Sequence, residues 1–234
     1  MAVIYKRVLL KLSGESLAGP AGVGIDDVTL KKTAEAIRRA HEHGVCLGIV
    51  VGGGNFWRGR SSEGMDRVTA DHMGMLATTM NALALSDALE QVGVTTRVMS
   101  AIEMRQIAET YIRKRAIRHL EKDRVVIYAA GTGNPYFSTD TAAALRAAET
   151  QAEVLFKATN VDGVYDKDPK VHEDAVFYDS ISHEDILLKS LQVMDGTAAT
   201  LCRENELDIV VFNMKDPENF LEVLEGRGKA TYIR

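Results

Sequence analysis

The chain has 234 residues, is 46% hydrophobic and 26% charged, and carries a formal net charge of −5. That length and balance fit one large α/β domain or two small ones with a core that needs no disulfides, and the acidic balance argues against non-specific nucleic-acid binding as its task. The two cysteines, Cys46 and Cys202, stand in no CxxC or Cys/His cluster, which removes the usual basis for a structural zinc site.

The amino terminus, MAVIYKRVLLKLSG, is too interrupted by Lys6, Arg7 and Lys11 for a signal peptide. No apolar run approaches the roughly 20 residues that span a bilayer, so a cytoplasmic enzyme is expected. Arg7 to Leu12 (RVLLKL) reads as the first strand, closed by Ser13-Gly14. Lys11, near its carboxyl end, either meets a phosphate or snorkels to solvent. Gly19 to Gly24 (GPAGVG) is a flexible loop, after which Asp26 or Asp27 caps a helix whose Leu30, Ala34 and Ile37 recur at helical spacing. Gly44 ends that helix. Val45 to Val51 reads as a strand buried on both faces, and it runs straight into Gly52-Gly53-Gly54, with Asn55 and Arg58 adding an amide and a cation. Bare glycine main chain lets a ligand come close, and ligands of open α/β sheets bind past the carboxyl ends of the strands. The stretch is either an anion pocket or a glycine turn that closes a core strand. Strand, helix, strand in this order favours a parallel pair joined by a right-handed crossover.

Ser61 to Arg67 is a polar loop, and helix-forming sequence runs from about Ala70 to Gln91. That helix is apolar nearly all round, so it is expected to be buried, with its second face packed on another subunit. Asp71 in its first turn suits either the helix dipole or a ligand. Thr95 to Ser100 is a strand, and the polar Glu103 to Lys122 segment (RKRAIRH inside it) reads as a solvated helical face without the aromatics of a nucleic-acid platform. Arg124 to Ala130 is another buried strand, followed by GTGNPYFSTD from Gly131 to Asp140. Thr139 is expected to cap a helix beginning near Asp140, leaving backbone N–H groups aimed at this loop as a second anion-binding terminus. Val154 to Ala158 is a strand containing Lys157; Asp162-Gly163 and Asp166-Lys167-Asp168-Pro169 mark turns; and Tyr165 is either a flat face for a purine or a plain surface aromatic. Ser182 with Asp185 makes a capping box, and Asp195-Gly196 precedes a further helix. Ile209 to Asn213 is a late strand, Asp216-Pro217 starts the last full helix with proline at its first position, and Thr231 to Ile233 adds an edge strand. Alternating strands and helices give a three-layer α/β/α sandwich around a mostly parallel sheet.

The chain contains no GxxxxGK[ST], no GxGxxG after a strand, no HExxH and no GxSxG. What it does contain is glycine-rich and hydroxyl-rich loops at strand ends, two strand lysines and a loop arginine. Cations and main-chain donors converging on one sheet edge suit phosphoryl transfer, which needs positioning and charge neutralisation more than a covalent nucleophile.

Lys11-Leu-Ser-Gly14-Glu15, Gly52-Gly-Gly-Asn55, Asp71-His-Met-Gly-Met75, the Gly131 to Asp140 loop, Lys157-Ala-Thr159 with Val161-Asp-Gly-Val164, and Val193-Met-Asp195 occur in this order over essentially the whole chain. Together they resemble the bacterial uridylate (UMP) kinases, which have the amino-acid-kinase fold and not the P-loop fold. The resemblance implies ATP + UMP giving ADP + UDP, reversibly, in pyrimidine nucleotide (UTP/CTP) synthesis, with Mg2+ held mainly by the ATP phosphates and no direct protein ligand. It implies ATP contacts at Lys11, Leu12, Ser13, Gly14, Gly54, Arg58, Lys157, Thr159, Tyr165 and Asp168. It implies UMP contacts at Gly53, Asp71, Thr132, Gly133, Asn134, Pro135, Tyr136, Phe137, Ser138 and Thr139, with Lys11, Arg58 and Asp140 as the catalytic set. It further implies a homohexamer activated by GTP and inhibited by UTP, with Gly19, Pro20, Ala21, Gly22, Val23 and Gly24 as the GTP-response segment. Residues 1–150 would form the UMP-side half and 151–234 the ATP-side half of a single domain. The rival readings are another small-molecule kinase of the same fold, or a non-catalytic nucleotide-binding or storage protein. Neither a membrane nor a nucleic-acid partner is expected.

Overall fold

The computed structural model describes residues 3–57, 64–189, 191 and 193–234, apart from the side chain of Leu187. Arg58 and residues 61–63 of the expected polar loop lie outside the described residues. The elements follow in the order β1 (Arg7–Leu12), α1 (Asp27–Glu42), β2 (Cys46–Val51), α2 (Arg67–Gln91), β3 (Thr96–Ser100), β4 (Glu109–Thr110), α3 (Arg113–Glu121) and β5 (Val125–Ala129). They continue with α4 (Thr139–Thr150), β6 (Val154–Thr159), β7 (Val164–Tyr165), β8 (Phe177–Tyr178), β9 (Ser180–Ile181), α5 (His183–Leu188), α6 (Gly196–Glu204), β10 (Asp208–Asn213), α7 (Glu218–Leu224) and β11 (Ala230–Ile233).

Among the described residues, nine strands form one sheet in the order β4-β3-β5-β2-β1-β6-β10-β11-β9, and β7 and β8 make a separate antiparallel pair. Every neighbour in the large sheet is parallel except β10 with β11. The expected edge strand therefore lies inside the sheet: β11 is flanked by β10 on one side and by the two-residue β9 on the other. Such a short strand leaves little sequence signal, which hid the true edge.

Alternation along the central strands sorts side chains onto two faces. Leu10 and Leu12 of β1 join a core with Leu30 and Ile37 of α1, Leu85 of α2 and Phe220 of α7. Leu9 joins a second core with Ala142, Ala143 and Ala147 of α4, Leu120 of α3 and Ala198 of α6. Two helical layers thus cover the sheet, as expected for the sandwich. Burial on both faces explains why the strand sequences are continuous apolar runs and not alternating ones. Lys11 shares the parity of Leu9, and Lys157 that of Leu155, so both lysines face α4.

Local capping follows the sequence with two shifts. Asp26 caps α1, accepting from Thr29 N at 2.8 Å, and Ser182 Oγ accepts from Asp185 N at 3.0 Å ahead of α5. The cap of α4, however, is Ser138 and not Thr139: its Oγ accepts from Asp140 N at 3.0 Å and Thr141 N at 3.1 Å. Either residue of the Ser-Thr pair could have served, and a tertiary bond from Ser138 Oγ to Asp195 selects the first. Pro217 lies just ahead of α7 and not at its first position, with Asp216 Oδ1 accepting from Glu218 N at 3.1 Å. The 103–122 segment is only partly helical. Its cations are largely engaged: Arg118 lies 3.4 Å from Glu121, and Arg113 Nε donates to Glu149 O at 2.5 Å.

Among the described residues no helix is long and apolar enough to cross a membrane. α2 buries Met75, Ala82, Leu85 and Leu89 but leaves Leu76, Met80 and Leu83 exposed along its other face.

Candidate active site

Lys11 and Lys157 are direct cross-strand partners in the parallel β1–β6 pair. Like charges placed side by side on neighbouring strands repel, so the arrangement requires a counter-ion. Asp140, in the first turn of α4, supplies it. Lys11 Nζ lies 2.8 Å from Asp140 Oδ1 and Lys157 Nζ 2.5 Å from Oδ2, with side-chain exposures of 12%, 13% and 16% for Lys11, Lys157 and Asp140. Lys157 donates a hydrogen bond; the Lys11 contact is poorly angled for one and acts as charge on charge. Lys157 also donates to Val193 O.

Burial alone would raise the Asp140 pKa, but the two ammonium groups outweigh it and hold the carboxyl at about 2. For Lys157, burial lowers the pKa more than Asp140 restores it, and the Lys11 charge adds to the lowering.

Around this triad the glycine-rich strand ends close in. A side-chain carbon on Gly14 would come 2.5 Å from Asn55 Oδ1 and 2.6 Å from Gly52 O, and one on Gly53 would meet Ala77 of α2 at 2.9 Å. Only glycine permits these approaches. The Leu12 side chain is fully buried, so only its main chain faces the strand ends, where Leu12 O accepts from Gly52 N at 2.9 Å. Ser13 O accepts from Ser16 Oγ at 2.6 Å. Gly54 lies beside Glu15, whose Oε1 would be 3.4 Å from an added Cβ. Asn55 does not extend into the pocket as the sequence suggested; it is buried and turned toward α2.

A cavity of about 150 Å³ opens beside the triad, bounded by Gly53, Asp71, Thr132, Asn134, Phe137, Ser138 and Thr139, all expected UMP contacts. Gly133, Pro135 and Tyr136 shape the loop without lining the cavity. Gly133 has φ +80°, with Ala101 O 3.0 Å from where a Cβ would stand. Tyr136, at φ +72°, is held by a bond from its N to Asp71 Oδ2 at 2.7 Å, the same oxygen that accepts from Arg67 Nε at 2.9 Å. The helix amides expected to be free for an anion are partly taken, since Ser138 occupies those of Asp140 and Thr141.

A second cavity, about 470 Å³, lies on the other side of the triad and contains the expected Thr159, Tyr165 and Asp168 together with Val193 and Lys189. Tyr165 meets Phe177 edge-on, ring centroids 5.2 Å apart. The Gly19 to Gly24 segment forms a short 3-10 turn ending in left-handed Gly22, with Val23 exposed. Gly19 and Gly22 border a separate cleft with Lys32, Lys170 and Lys215.

Sequence reading missed several participants. Trp57 lines the smaller cavity, its Nε1 donating to Ala70 O at 3.0 Å; a lone tryptophan following the glycine loop was a usable signal. Thr78 anchors Ala130 N at 3.0 Å, and Asp195 accepts from Thr141 Oγ1 at 2.9 Å while capping α6 through Ala198 N at 2.9 Å. The Thr78–Ala130 and Asp195–Thr141 contacts cross between distant segments and leave no local signature, whereas the cap of α6 is local and Asp195-Gly196 marked it.

Residues 6–213 match the Amino acid kinase family. This chain belongs to that family. Its fold is shared with a UMP kinase from Ureaplasma parvum, at 41% identity and a TM-score of 0.94 over 98% of each chain. A UMP kinase from Bacillus anthracis matches at 37% identity and a TM-score of 0.94, over 98% of this chain and 96% of that one. A uridylate kinase from Archaeoglobus fulgidus is more distant within the amino acid kinase fold, at 28% identity and a TM-score of 0.75, over 97% and 99%.

Proposed function

We propose that the chain is a UMP kinase, moving the γ-phosphoryl group of ATP to UMP reversibly to give ADP and UDP. The observation that carries this reading is the Lys11–Asp140–Lys157 triad set between two cavities, one walled by the Gly131 to Thr139 loop and the other by Thr159, Tyr165 and Asp168. Similarity to two UMP kinases over nearly the whole chain supports it.

The acceptor is a phosphate oxygen, already largely ionised near neutral pH because the second phosphate pKa is about 6, so no strong general base is needed. Lys11 neutralises charge on the transferring group, and the amides of Gly14 and Gly54 hold it in line; Arg58 is assigned the same task from sequence. Asp140 keeps both ammonium groups aimed at one point. In the smaller cavity Asp71 takes the UMP ribose, and the Thr132 to Thr139 hydroxyls and main chain read the uracil. UMP is therefore preferred over CMP, since a base-edge site rejects a mismatched edge strongly. Mg2+ would enter with ATP, held mainly by its phosphates, while the Asp140 carboxylate is engaged by Lys11 and Lys157. The ion screens charge on the phosphates when bound.

The exposed Leu76, Met80 and Leu83 stripe suits burial in a homo-oligomer, with a hexamer as the expected assembly. GTP activation through Gly19 to Gly24, UTP inhibition, a cytoplasmic location and the 1–150 and 151–234 halves belong to the same proposal.

ADP release from ATP and Mg2+ with UMP, CMP, acetylglutamate and carbamate in parallel, with and without GTP, tests it. Turnover confined to UMP is expected. Turnover on another acceptor, or nucleotide binding without turnover, overturns it in favour of a different kinase or a storage protein.

A further inference from the structure

Asn81 lies in the middle of α2 on its buried side and has no solvent exposure. A polar amide in such a place is costly unless all its hydrogen-bonding groups are satisfied. Its Nδ2 donates to Gly52 O at 2.7 Å and to Asn55 Oδ1 at 2.7 Å, while its Oδ1 accepts from Asn55 Nδ2 at 3.0 Å. Asn55, 4% exposed, uses its remaining amide hydrogen on Gly24 O at 2.6 Å, and Gly24 N donates back to Asn55 O at 3.0 Å. Both outer anchors, Gly52 O and Gly24 O, are carbonyls. They can only accept, so they fix which end of each amide is nitrogen. All four amide hydrogens are used.

This closed pair lies directly under the phosphate-binding turn. Gly52 N is bonded to Leu12 O, and the Gly14 Cα approaches Asn55 Oδ1 so closely that a methyl group there would overlap it. One side chain from α2 thereby sets the spacing between the ends of β1 and β2, where Gly14 and Gly54 present their amides, and also fastens Gly24 to them. Ordinary core packing would be served by leucine or methionine, and a buried polar pair is kept where one arrangement must be specified.

Building on the kinase reading above, we infer that Asn81, acting through Asn55, is a positioning residue for the phosphate-binding glycine turn and the joint that ties Gly24 to it. The effect is expected to fall mainly on the donor nucleotide: Gly53 is the one expected UMP contact on this turn, and the rest of the UMP wall, the Gly131 to Thr139 loop, is anchored by Asp71, Thr78 and Asp195.

The test combines Asn81→Ala, Asn81→Ser, Gly24→Ala and the double variant Asn81→Ala/Gly24→Ala. Equilibrium binding of Mg2+-ATP and steady-state kinetics are measured at a temperature well below each melting point. The expected result for Asn81→Ala is a tenfold or greater fall in kcat/KM for ATP, with KM for UMP within twofold of the parent, and a smaller fall for Asn81→Ser. The double variant should lose much less than the product of the single losses, because Gly24→Ala displaces the same joint by straining a residue at φ +69° while Asn81→Ala removes its side-chain support. Equal losses toward ATP and UMP, multiplicative losses, or unchanged ATP binding in folded variants would overturn the inference. If Asn81→Ala does not fold, hydrogen exchange on the parent decides: a non-hydrolysable ATP analogue should slow exchange in the 19–26 peptide while UMP alone does not, and the absence of slowing overturns it. A parent enzyme that binds ATP but does not phosphorylate UMP would refute the kinase reading while leaving the ATP-binding arms intact as a test of the joint.

Discussion

The loop that walls the smaller cavity is tied to several separate parts of the molecule, whereas the hairpin that borders the larger one is tied to itself and, outside itself, mainly to one carboxyl-terminal stretch. Residues 130–138 are held by Thr78 and Asp71 of α2, by Asp195 ahead of α6, and by Arg146 of α4, whose Nη2 lies 3.4 Å from Gly131 O. The 159–178 segment closes on its own residues: Thr159 Oγ1 bonds Val161 O at 2.7 Å, Asp166 Oδ1 accepts from Val176 N at 2.7 Å, and Lys167 pairs with Asp174 at 2.6 Å. Outside itself it is anchored chiefly to the carboxyl-terminal part of the chain: Thr231 bonds Val164 N and Tyr178 O, Met214 N donates to Thr159 O, and Asn213 and Lys229 meet Asp162. On the proposed reading the acceptor side is expected to be pre-organised, with left-handed residues Ala130 and Tyr136 held in place, and the donor side to adjust as ATP enters. Substitutions on the first side should disturb selectivity and stability together; those on the second should change affinity alone.

The largest effect should come from the point where the two sides meet. Lys11→Met removes a charge-assisted contact worth roughly 1.5–3 kcal/mol, so turnover should fall on the order of tenfold to hundredfold, and by up to about a thousandfold if the lysine acts only on developing charge. Near-normal turnover by a folded Lys11→Met protein would remove the triad from the mechanism. Asp71→Asn comes next. It keeps the shape but weakens the bonds to Tyr136 N and Arg67, so KM for UMP should rise about tenfold with KM for ATP nearly constant, a split that steady-state kinetics in both substrates would reveal. Ser138→Ala removes a helix cap worth about 1 kcal/mol and the bond to Asp195; a lower melting temperature together with a few-fold rise in KM for UMP is expected. Tyr165→Ala should be the mildest, raising KM for ATP a few-fold without changing the melting temperature. If Tyr165→Ala destabilised the protein as much as Ser138→Ala does, the contrast between the two sides would fail.

Acidity separates the same groups. Asp140 is depressed from 3.8 to about 2 by its two lysines, so the stability it contributes is present above the ordinary carboxylate value and is lost as pH falls from there toward about 2. Lys157 is also lowered, from its usual 10.5 and chiefly by burial, so its loss of charge should end activity at a lower alkaline pH than an ordinary lysine would. A rate profile that is flat between UMP phosphate ionisation and this alkaline limb, with the limb changed in Lys157→Arg, is the expected outcome.

The sequence made the fold legible where burial is two-sided and periodic. The runs at β1, β2, β5 and β6 and the crossover order all appear as read, and Asp26 proves to be the cap of the two candidates. It also made the site legible where chemistry is concentrated in one loop, as at Gly131 to Asp140. It failed where the outcome depends on a distant partner. The choice of Ser138 over Thr139 is made by Asp195, the inward turn of Asn55 by Asn81, and the enclosure of β11 by a strand of two residues. Asn81 was visible as a polar residue within an apolar helix, yet nothing local shows that its partners are a glycine carbonyl and an asparagine 26 positions earlier.

The pairing of Lys11 with Lys157 across adjacent strands has a consequence for how the protein should respond to dissolved ions. The electric field at the proposed transfer point would be established before any nucleotide arrives, by charges 2.5 and 2.8 Å from a common carboxylate and largely shielded from water. Mobile ions act over about 10 Å at 0.1 M and chiefly between exposed charges. Raising ionic strength should therefore weaken nucleotide capture at the exposed rims, where Lys189 lies, and leave the rate of the bound complex unchanged.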